Sequence, residues 1–266
     1  MPDGSKMCPG RFFDAARFLT ILPIGPSDDR PDSEWLARSL KFFPAVGFLV
    51  GLVSAAVLLL ASPLWGPTIA ALLAVLAGSV VTGALHEDGL ADTADAFGGG
   101  WTPEQRTAIM KDSRIGTFGA LALIFSVALR VAALALMPPS MAAGALLVSG
   151  AASRASLLPV IDRMNYAGDT SAMKVSYSHS PLRGSEYCFA GATLALASAP
   201  LIATFTPVFL LPLFGSAVCG AMIAAALALW SRRSIGGYTG DVLGAIVQTF
   251  EISFLLALAA STPTAN

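Results

Sequence analysis

The stretch LAVLAGSVVTGALHEDGLADTADAFGGG, residues 73–100, decides how this chain is organised. It begins apolar and uncharged, then brings Glu87, Asp88, Asp92 and Asp95 within nine residues, and closes on three glycines. In a helix, Asp88, Asp92 and Asp95 stand at i, i+4 and i+7, so the three carboxylates share one face. Like charges at this spacing repel each other, and oxygen ligands suit Mg²⁺. The pattern favours a metal-binding row over its alternative, a solvated acidic helix end.

The composition of the chain indicates that its solvent is the lipid bilayer. Of the 266 residues, 55% are hydrophobic and 12% are charged, whereas a soluble domain carries about 25% charged residues. The net charge is −1 with no basic block, so nucleic acid is excluded as a partner. Cys8, Cys188 and Cys219 lack metal or disulfide spacing and are expected to be small buried hydrophobes. No secretory signal peptide is expected, because the first long apolar run starts near Phe42.

Seven apolar runs predict an all-α polytopic bundle of about seven transmembrane helices in a single domain, residues 1–266. Spanning a bilayer takes about 20 residues, and each run is long enough to cross. Residues 10–25 predict either a helix lying in the membrane interface or an amphipathic helix packed on the bundle, and Ser33 is a plausible N-cap. The runs are 42–62, 66–85, 115–137, 141–161, 188–206, 210–230 and 242–260, and Pro200 interrupts the fifth.

The charged residues predict the orientation of these spans. All but three of them fall in residues 1–41, 86–114, 162–187 and 231–241, and the connections between the remaining span ends carry none. Lysine and arginine mark the cytoplasmic side. We therefore expect a multi-pass protein of the bacterial inner membrane, with its N-terminus and the aspartate row on the cytoplasmic side.

Three charged residues fall inside the predicted spans, where charge is costly and often functional. Arg154 lies about 10 Å from the cytoplasmic end of its helix and could reach towards the surface. Glu251 could pair with Arg154. For Arg130 we expect a structural role or snorkelling towards the outer side.

The cytoplasmic segments also contain groups suited to phosphate chemistry. Arginine can bind phosphate oxygens as a fork and lysine as a point charge, and glycines let backbone amides approach an anion. His86 points away from the aspartate row, and a structural hydrogen bond is at least as plausible there as catalysis. His179 is expected to be exposed. The phosphate-binding candidates are Gly98, Gly99, Lys111, Arg114, Lys174, Arg232 and Arg233. Asp112 is a candidate further metal ligand, and Asp241 is a candidate outer ligand or ribose contact.

HEDGLADTADAFGGG resembles the H-x-D-G-x-x-D-x-x-D signature of the cobalamin synthase family, the adenosylcobinamide-GDP ribazoletransferases. MKDSRIGTFG (110–119), GGYTGDVLGA (236–245) and the opening FLTILPIG and FFPAVGFLVG segments are similar to other recurrent blocks of that family. The resemblance covers nearly the whole chain. Glu87 occupies a variable position of the signature.

The resemblance implies a reaction and a set of roles. A hydroxyl of α-ribazole, or of its 5′-phosphate, attacks the cobinamide-side phosphate of adenosylcobinamide-GDP, and GMP leaves. Mg²⁺ is the implied cofactor, and a homo-oligomer or a complex with other cobalamin-assembly enzymes is allowed. We expect Asp88, Asp92 and Asp95 to bind metal, with Asp95 as a candidate proton acceptor, and Lys111 and Arg114 to balance charge on the phosphates. The expected substrate-binding residues are Gly98, Gly99, Asp112, Ser113, Arg154 and Asp241, with pairing to Lys111 or Arg114 as an alternative for Asp112.

Other functions remain open from the residues alone. A membrane CDP-alcohol phosphotransferase would use similar aspartate spacing, but Ala91 and Asp92 stand where its Ala-Arg element would be. A secondary transporter would place Arg154 and Glu251 on its transport path. A membrane scaffold would leave the acidic row unexplained.

Overall fold

A computed structural model describes residues 9–25, 38–168, 181–205 and 209–262. Within these residues the chain consists of helices and the turns and loops that connect them, with one isolated bridge between Tyr166 and Tyr238. A 3₁₀ turn, Leu40–Phe42, precedes the second helix. The α-helices are α1 (Pro9–Leu19), α2 (Phe43–Thr82), α3 (Leu85–Gly99), α4 (Pro103–Met110), α5 (Thr117–Ala135), α6 (Pro139–Ala155), α7 (Leu157–Arg163), α8 (Gly184–Phe205), α9 (Leu210–Ile235) and α10 (Gly240–Ala260).

Helix α2 is two membrane crossings joined at a sharp break. Gly66 has φ +75°, outside the helical range, and prolines lie on either side of it at Pro63 and Pro67. Proline cannot donate the helical hydrogen bond, and glycine accepts positive φ without strain. A Cβ on Gly78 would lie 2.9 Å from Oγ of Ser54, so the two halves fold back on each other about Gly66. This confirms the two separate spans predicted for 42–62 and 66–85.

Helix α3 continues the second crossing rather than lying in a loop outside the bundle. From Pro67 to Thr82 the second half of α2 is only about 24 Å long at 1.5 Å per residue, shorter than the hydrocarbon core of about 30 Å. After a turn at Gly83, α3 runs along α5 in the opposite direction, with Glu87 beside Arg130 and Asp95 at the first turn of α5. The aspartate row therefore lies at one end of the bundle, between helices.

Among the described residues, six helical segments are long and apolar enough to cross a membrane. The first of them, 43 residues long, contains the break at Gly66 and makes two passes, which gives the seven crossings that the sequence predicts. Pro200 lies within α8 and does not end it. The spans are Leu40–Thr82, Thr117–Ala135, Pro139–Arg163, Gly184–Ala203, Leu210–Ile235 and Gly240–Ala260.

Close helix contacts in the bundle depend on small residues. A Cβ on Gly47 would overlap the carbonyl oxygen of Gly150, and a Cβ on Gly51 would overlap that of Leu146. Membrane helices associate through such close approach, since lipid gives them no hydrophobic drive. The expectation of buried cysteines is wrong for Cys188, which is exposed on α8, and Cys219 is half-buried. Both lie on spans whose outer faces meet lipid, where a thiol needs no burial.

The N-terminal helix α1 packs on the bundle with one side and leaves the other open. Ala15, Ala16 and Leu19 are buried, while Phe13 and Phe18 are more than two-fifths exposed. The segment after α1 joins the end of the bundle that holds α3, because the amide of Ile21 donates to the carbonyl of Val81. Helix α1 therefore packs on the bundle, as one expectation had it. It also presents apolar side chains outward, as expected of a helix in the membrane interface. Ser33 lies outside the described residues.

Candidate active site

The row of aspartates forms as the spacing predicts. Asp88, Asp92 and Asp95 lie on α3, which runs without a break from Leu85 to Gly99. Asp88 is exposed, and Asp92 and Asp95 are half-buried. The row thus faces a space that opens at one end of the bundle.

A fourth carboxylate, Asp241, joins the row because two glycines let α3 and α10 touch. A Cβ on Gly89 would lie 2.6 Å from the carbonyl oxygen of Asp241, and one on Gly244 would lie 3.2 Å from the Cα atoms of Gly89 and His86. Any larger side chain at Gly89 would push the start of α10 away. The glycine of the HEDG motif therefore serves to deliver Asp241 to the row. We call Asp88, Asp92, Asp95 and Asp241 the acidic rim.

The electrostatics of the acidic rim are dominated by repulsion between its carboxylates, as far as the described residues show. Burial, and then repulsion from Asp88, Asp241 and Asp95, raises the pKa of Asp92 to about 6. Within the described residues, no lysine or arginine forms an ion pair with any rim carboxylate. Neighbouring carboxylates disfavour each other's ionised forms. The rim is therefore a site of concentrated negative charge that a cation would stabilise.

Asp95 has a structural task that its place in the row does not predict. Its Oδ2 accepts a hydrogen bond from the amide of Gly116 at 2.7 Å, and its Oδ1 accepts one from the amide of Gly119 at 2.8 Å. These amides belong to the first turn of α5, whose own N-cap position, Gly116, has no side chain to cap it. A carboxylate at a helix N-terminus is favourable. Asp95 thus ties α3 to α5.

The loop between α4 and α5 holds the expected phosphate-binding cations. Arg114 grips Asp112 with its Nη2 at 2.6 Å and its Nε at 3.0 Å, and hydrogen bonding from Arg114 lowers the pKa of Asp112 to about 2. The pairing alternative for Asp112 is therefore confirmed in this conformation. The Arg114 side chain is 87% exposed, and Lys111 and Ser113 are exposed as well. All of them lie in a surface loop that follows Met110, which contacts Thr239 at the start of α10.

The expectation that Gly98 and Gly99 present their amides to an anion is wrong in this structure. Both residues belong to α3, and helical amides are already used in i→i−4 hydrogen bonds. Gly98 allows close packing instead, because a Cβ at this position would lie 2.6 Å from the ring of Phe118. Gly100 leaves the helix and packs against Arg106, which donates to its carbonyl at 3.1 Å.

We expected that Arg154 could reach towards the surface. It does not, and instead it belongs to a charge network inside the bundle. It is 4% exposed and pairs with Glu251, as predicted for Glu251. Arg130 is also buried, which makes the snorkelling alternative wrong. Its Nη1 lies 3.5 Å from Oε2 of Glu251, and its Nη2 lies 3.3 Å from Oε1 of Glu87. We call Glu87, Arg130, Glu251 and Arg154 the buried tetrad.

Glu87 is the functional candidate that the sequence reading missed. It stands at a variable position of the signature, yet its side chain is 12% exposed and bonded to Arg130 and to Oγ of Ser79 at 2.6 Å. The available signal was an intramembrane arginine that needed an acidic partner. Which acid it meets depends on helix packing, which one sequence does not reveal.

The remaining candidates are two histidines and three basic residues, of which the structure describes only some. His86 is buried, and its Nδ1 has no hydrogen-bond partner, so the structural hydrogen bond expected there is not found for that atom. Arg232 and Arg233 are exposed in the last turn of α9. Lys174 and His179 lie outside the described residues.

The site and fold define a class of protein: a polytopic membrane bundle with an acidic, oxygen-rich site at one end. Within the described residues, no three acidic, histidine or cysteine side chains form a ready-made metal cage. Mg²⁺ is commonly held by only one or two carboxylates together with substrate phosphates and water. The acidic rim therefore fits Mg²⁺ that arrives with a phosphate-bearing substrate.

Comparison with known proteins identifies the family within that class. Residues 11–259 match the family described as CobS, cobalamin-5-phosphate synthase. The adenosylcobinamide-GDP ribazoletransferase of Bradyrhizobium diazoefficiens is 43% identical over 92% of each chain. That of Rhizobium etli is 41% identical over 92% of this chain and 94% of its own, and that of Shewanella frigidimarina is 39% identical over 94% of both. No solved structure matches the chain.

The chain belongs to the cobalamin-5-phosphate synthase family and is a membrane transferase of cobalamin biosynthesis. This confirms the resemblance stated from the sequence and sets aside the CDP-alcohol phosphotransferase, transporter and scaffold alternatives. The buried tetrad agrees, since Arg154 and Glu251 neutralise each other and do not line an open transport path.

Proposed function

We propose that this chain joins adenosylcobinamide-GDP to α-ribazole or its 5′-phosphate, at a Mg²⁺ site on the acidic rim. The relatives carry the name of this activity. A ribose hydroxyl oxygen attacks the cobinamide-side phosphorus and forms a new P–O bond. The bond from that phosphorus to the bridging oxygen breaks, and GMP leaves with the bridging oxygen. The hydroxyl proton passes to a carboxylate, so atoms and charge balance.

The observation that carries the proposal is the mutual repulsion of the rim carboxylates, which together with burial, the larger cause, raises the pKa of Asp92 to about 6. A diphosphate cannot approach such a cluster without a cation between them. When bound, Mg²⁺ would offset the charge that develops on the leaving group. Asp88, Asp92 and Asp241 would hold it. Asp95 is the weaker ligand in the row, because each of its oxygens already accepts a backbone hydrogen bond.

The chain's own residues supply positioning and proton transfer. Asp95 is a poor proton acceptor for the same reason that it is a weak ligand, so we assign that role to Asp92 or Asp241, which face the same space. Lys111 and Arg114 lie in the loop beside the rim and would bind the phosphate oxygens of the incoming substrate. For Arg114 this requires release from Asp112, an exposed pair that costs little to open.

We place the acidic rim on the cytoplasmic side of the bacterial inner membrane. The segments that meet at the rim end of the bundle are those richest in lysine and arginine, and positive charge marks the cytoplasmic face. The opposite end, around Gly66, Pro138 and Phe209, is uncharged. Labelling of single cysteines placed at Gly66 and Lys111 in intact cells tests this, since only the former should react with an impermeant thiol reagent.

The reaction is tested with purified protein in liposomes, supplied with adenosylcobinamide-GDP, Mg²⁺, and either α-ribazole or its 5′-phosphate. GMP release coupled to corrinoid product is expected, and a chelator should stop it. The preferred nucleophile is the one with the larger kcat/KM. GMP release that continues with excess chelator would contradict the metal site, and absence of product with both nucleophiles would contradict the reaction.

A further inference from the structure

We propose that Glu87 is a positioning residue, which fixes the start of α3 through Arg130 and so aims the Asp88 carboxylate from inside the bundle. This inference rests on the proposed function, because it assumes that Asp88 holds the metal. It assigns a task to the one acid of the signature segment that faces inward.

The start of α3 has no side-chain cap, although backbone hydrogen bonds close the helix before it. Gly83 and Ala84 both have positive φ, +63° and +56°, and Ala84 is the only described non-glycine residue in that conformation. Their amides donate to the carbonyls of Val80 and Ser79 at 3.1 and 2.7 Å, which ends α2. The left-handed region is costly for an L-residue, and it persists where surrounding structure enforces it. Ala84, the N-cap residue of α3, makes no side-chain capping hydrogen bond, so no side chain at the cap fixes the rotation of α3.

Glu87 makes the contacts that can hold it. Its Oε1 accepts from Oγ of Ser79 at 2.6 Å and from Nη2 of Arg130 at 3.3 Å. One carboxylate oxygen thus joins α2, α3 and α5 just after the turn. The Glu87 and Arg130 side chains are 12% and 6% exposed, so solvent screens the pair little.

Glu251 and Arg154, the other two members of the buried tetrad, keep Arg130 in place. Arg130 also pairs with Glu251, which in turn pairs with Arg154 and accepts from Oγ of Ser153 at 3.2 Å. Two positive and two negative groups balance around a cavity of about 40 Å³. A buried charge left without a partner is costly, so each member resists displacement of the next.

Adjacent positions on a helix couple the interior to the rim. Glu87 and Asp88 are about 100° apart around α3, so Asp88 faces the opening when Glu87 faces the tetrad. A rotation of α3 that released Glu87 would also turn Asp88 away from Asp92 and Asp241. The inward pair therefore sets the angle at which the outward carboxylate is presented.

The test compares Glu87→Gln with Glu251→Gln in the full-length protein. The two glutamates are matched controls, since both pair with Arg130 and their side chains are 12% and 13% exposed, but Glu251 is not next to a rim residue. Binding of Mn²⁺ is followed by electron paramagnetic resonance without substrate, and turnover by GMP release. Substituting a residue that orients a metal ligand commonly lowers metal affinity or activity 10–100-fold. We expect E87Q to weaken Mn²⁺ binding about tenfold and to lower kcat more than it raises KM, and E251Q to change Mn²⁺ binding less than about threefold.

Two further variants keep the result interpretable. If E87Q does not fold, E87Q/R130Q removes both charges and should fold while still binding Mn²⁺ weakly. Equal Mn²⁺ affinities in E87Q and E251Q, or wild-type affinity in E87Q/R130Q, would overturn the positioning role. Asp88→Asn separates this from the proposed function: if D88N binds Mn²⁺ and turns over normally, the metal site itself is wrong, whereas an inactive D88N beside a normal E87Q overturns only the inference about Glu87.

Discussion

Glu87 and Asp88 are neighbours in the chain but lie in opposite electrostatic environments. Glu87 points into the buried tetrad and meets Arg130 and Ser79. Asp88 points into the acidic rim, where its described neighbours are other carboxylates and where its charge helps raise the pKa of Asp92. The same helix therefore carries one acid that is paired with an arginine and one acid that forms no ion pair within the described part of the chain.

The difference separates structural acids from acids kept for a ligand. Burying charge inside a bilayer protein is tolerated only with a partner, so the tetrad balances itself. The rim opens to solvent and can keep repulsive charge at modest cost. That repulsion is relieved when a divalent cation binds, so the rim is suited to binding and the tetrad to holding helices in place.

Removing a rim carboxylate should have the largest effect on function and little effect on folding. We expect Asp88→Asn to lower kcat/KM about a thousandfold, the size of effect seen when a main electrostatic contact to the transition state is lost. Asp14→Asn is the control, because Asp14 pairs with Arg17 on α1, away from the rim. GMP release by equal amounts of membrane-inserted protein provides the measurement. Comparable losses in both variants would argue against a specific role for Asp88.

Removing Arg154, the member of the tetrad on the side away from Glu87, should mainly lower stability. Arg154→Leu leaves Glu251 short of its partner and is expected to lower the free energy of unfolding by about 3–5 kcal/mol. Arg154→Leu/Glu251→Leu removes both charges and leaves Arg130 with Glu87, so most of that loss should return. Urea unfolding in detergent measures both. A double variant as unstable as the single one would mean that the tetrad matters for shape rather than charge.

Part of this contrast could be predicted from the sequence and part could not. The i, i+4, i+7 spacing of Asp88, Asp92 and Asp95 needs only helix geometry, and the seven crossings need only hydropathy and charge. The bonds from Gly116 and Gly119 to Asp95, and the choice of Glu87 as partner of Arg130, depend on which helices pack together. The sequence predicts anion-binding amides at Gly98 and Gly99, but glycine is also typical of close packing, and the ring of Phe118 beside Gly98 shows that packing applies there.

The pH dependence of the rim should invert when Mg²⁺ is present. The pKa of Asp92 is raised to about 6, so without metal its ionisation destabilises the fold as pH rises from about 4 to about 6. Metal and proton compete for the same oxygens, so stabilisation by Mg²⁺ should be small near pH 5 and reach about 2.7 kcal/mol above pH 6 at about a hundredfold excess over its Kd. Thermal unfolding in detergent measures this. Equal stabilisation at both pH values would place the ion elsewhere.

The contact between α3 and α10 can be broken without touching a charge. Gly89→Ala introduces a Cβ 2.6 Å from the carbonyl oxygen of Asp241, and overpacking of this kind costs about 1–3 kcal/mol. Because the clash displaces the start of α10, Mg²⁺-dependent activity should fall as well. Gly191→Ala on α8 is the control, since a Cβ there meets nothing within 4 Å. Unfolding and turnover of the two variants are compared, and identical behaviour would remove Gly89 from the account.

The exposed pair in the α4–α5 loop should show the smallest effect on stability. Asp112→Asn breaks the grip on Arg114, but exposed pairs contribute little to folding. We expect unchanged thermal unfolding and an unchanged or lower KM for adenosylcobinamide-GDP, because Arg114 is released towards the substrate phosphates. A marked loss of stability would show that the pair fixes the loop instead.

The most direct measurement is the position of a bound metal. Crystals of the protein grown with Mn²⁺ and guanosine diphosphate should give an anomalous difference peak in contact with Asp88 and at least one of Asp92 and Asp241, with none in the cavity of the buried tetrad. A peak inside the tetrad, or an ordered diphosphate with no metal at the acidic rim, would contradict the account.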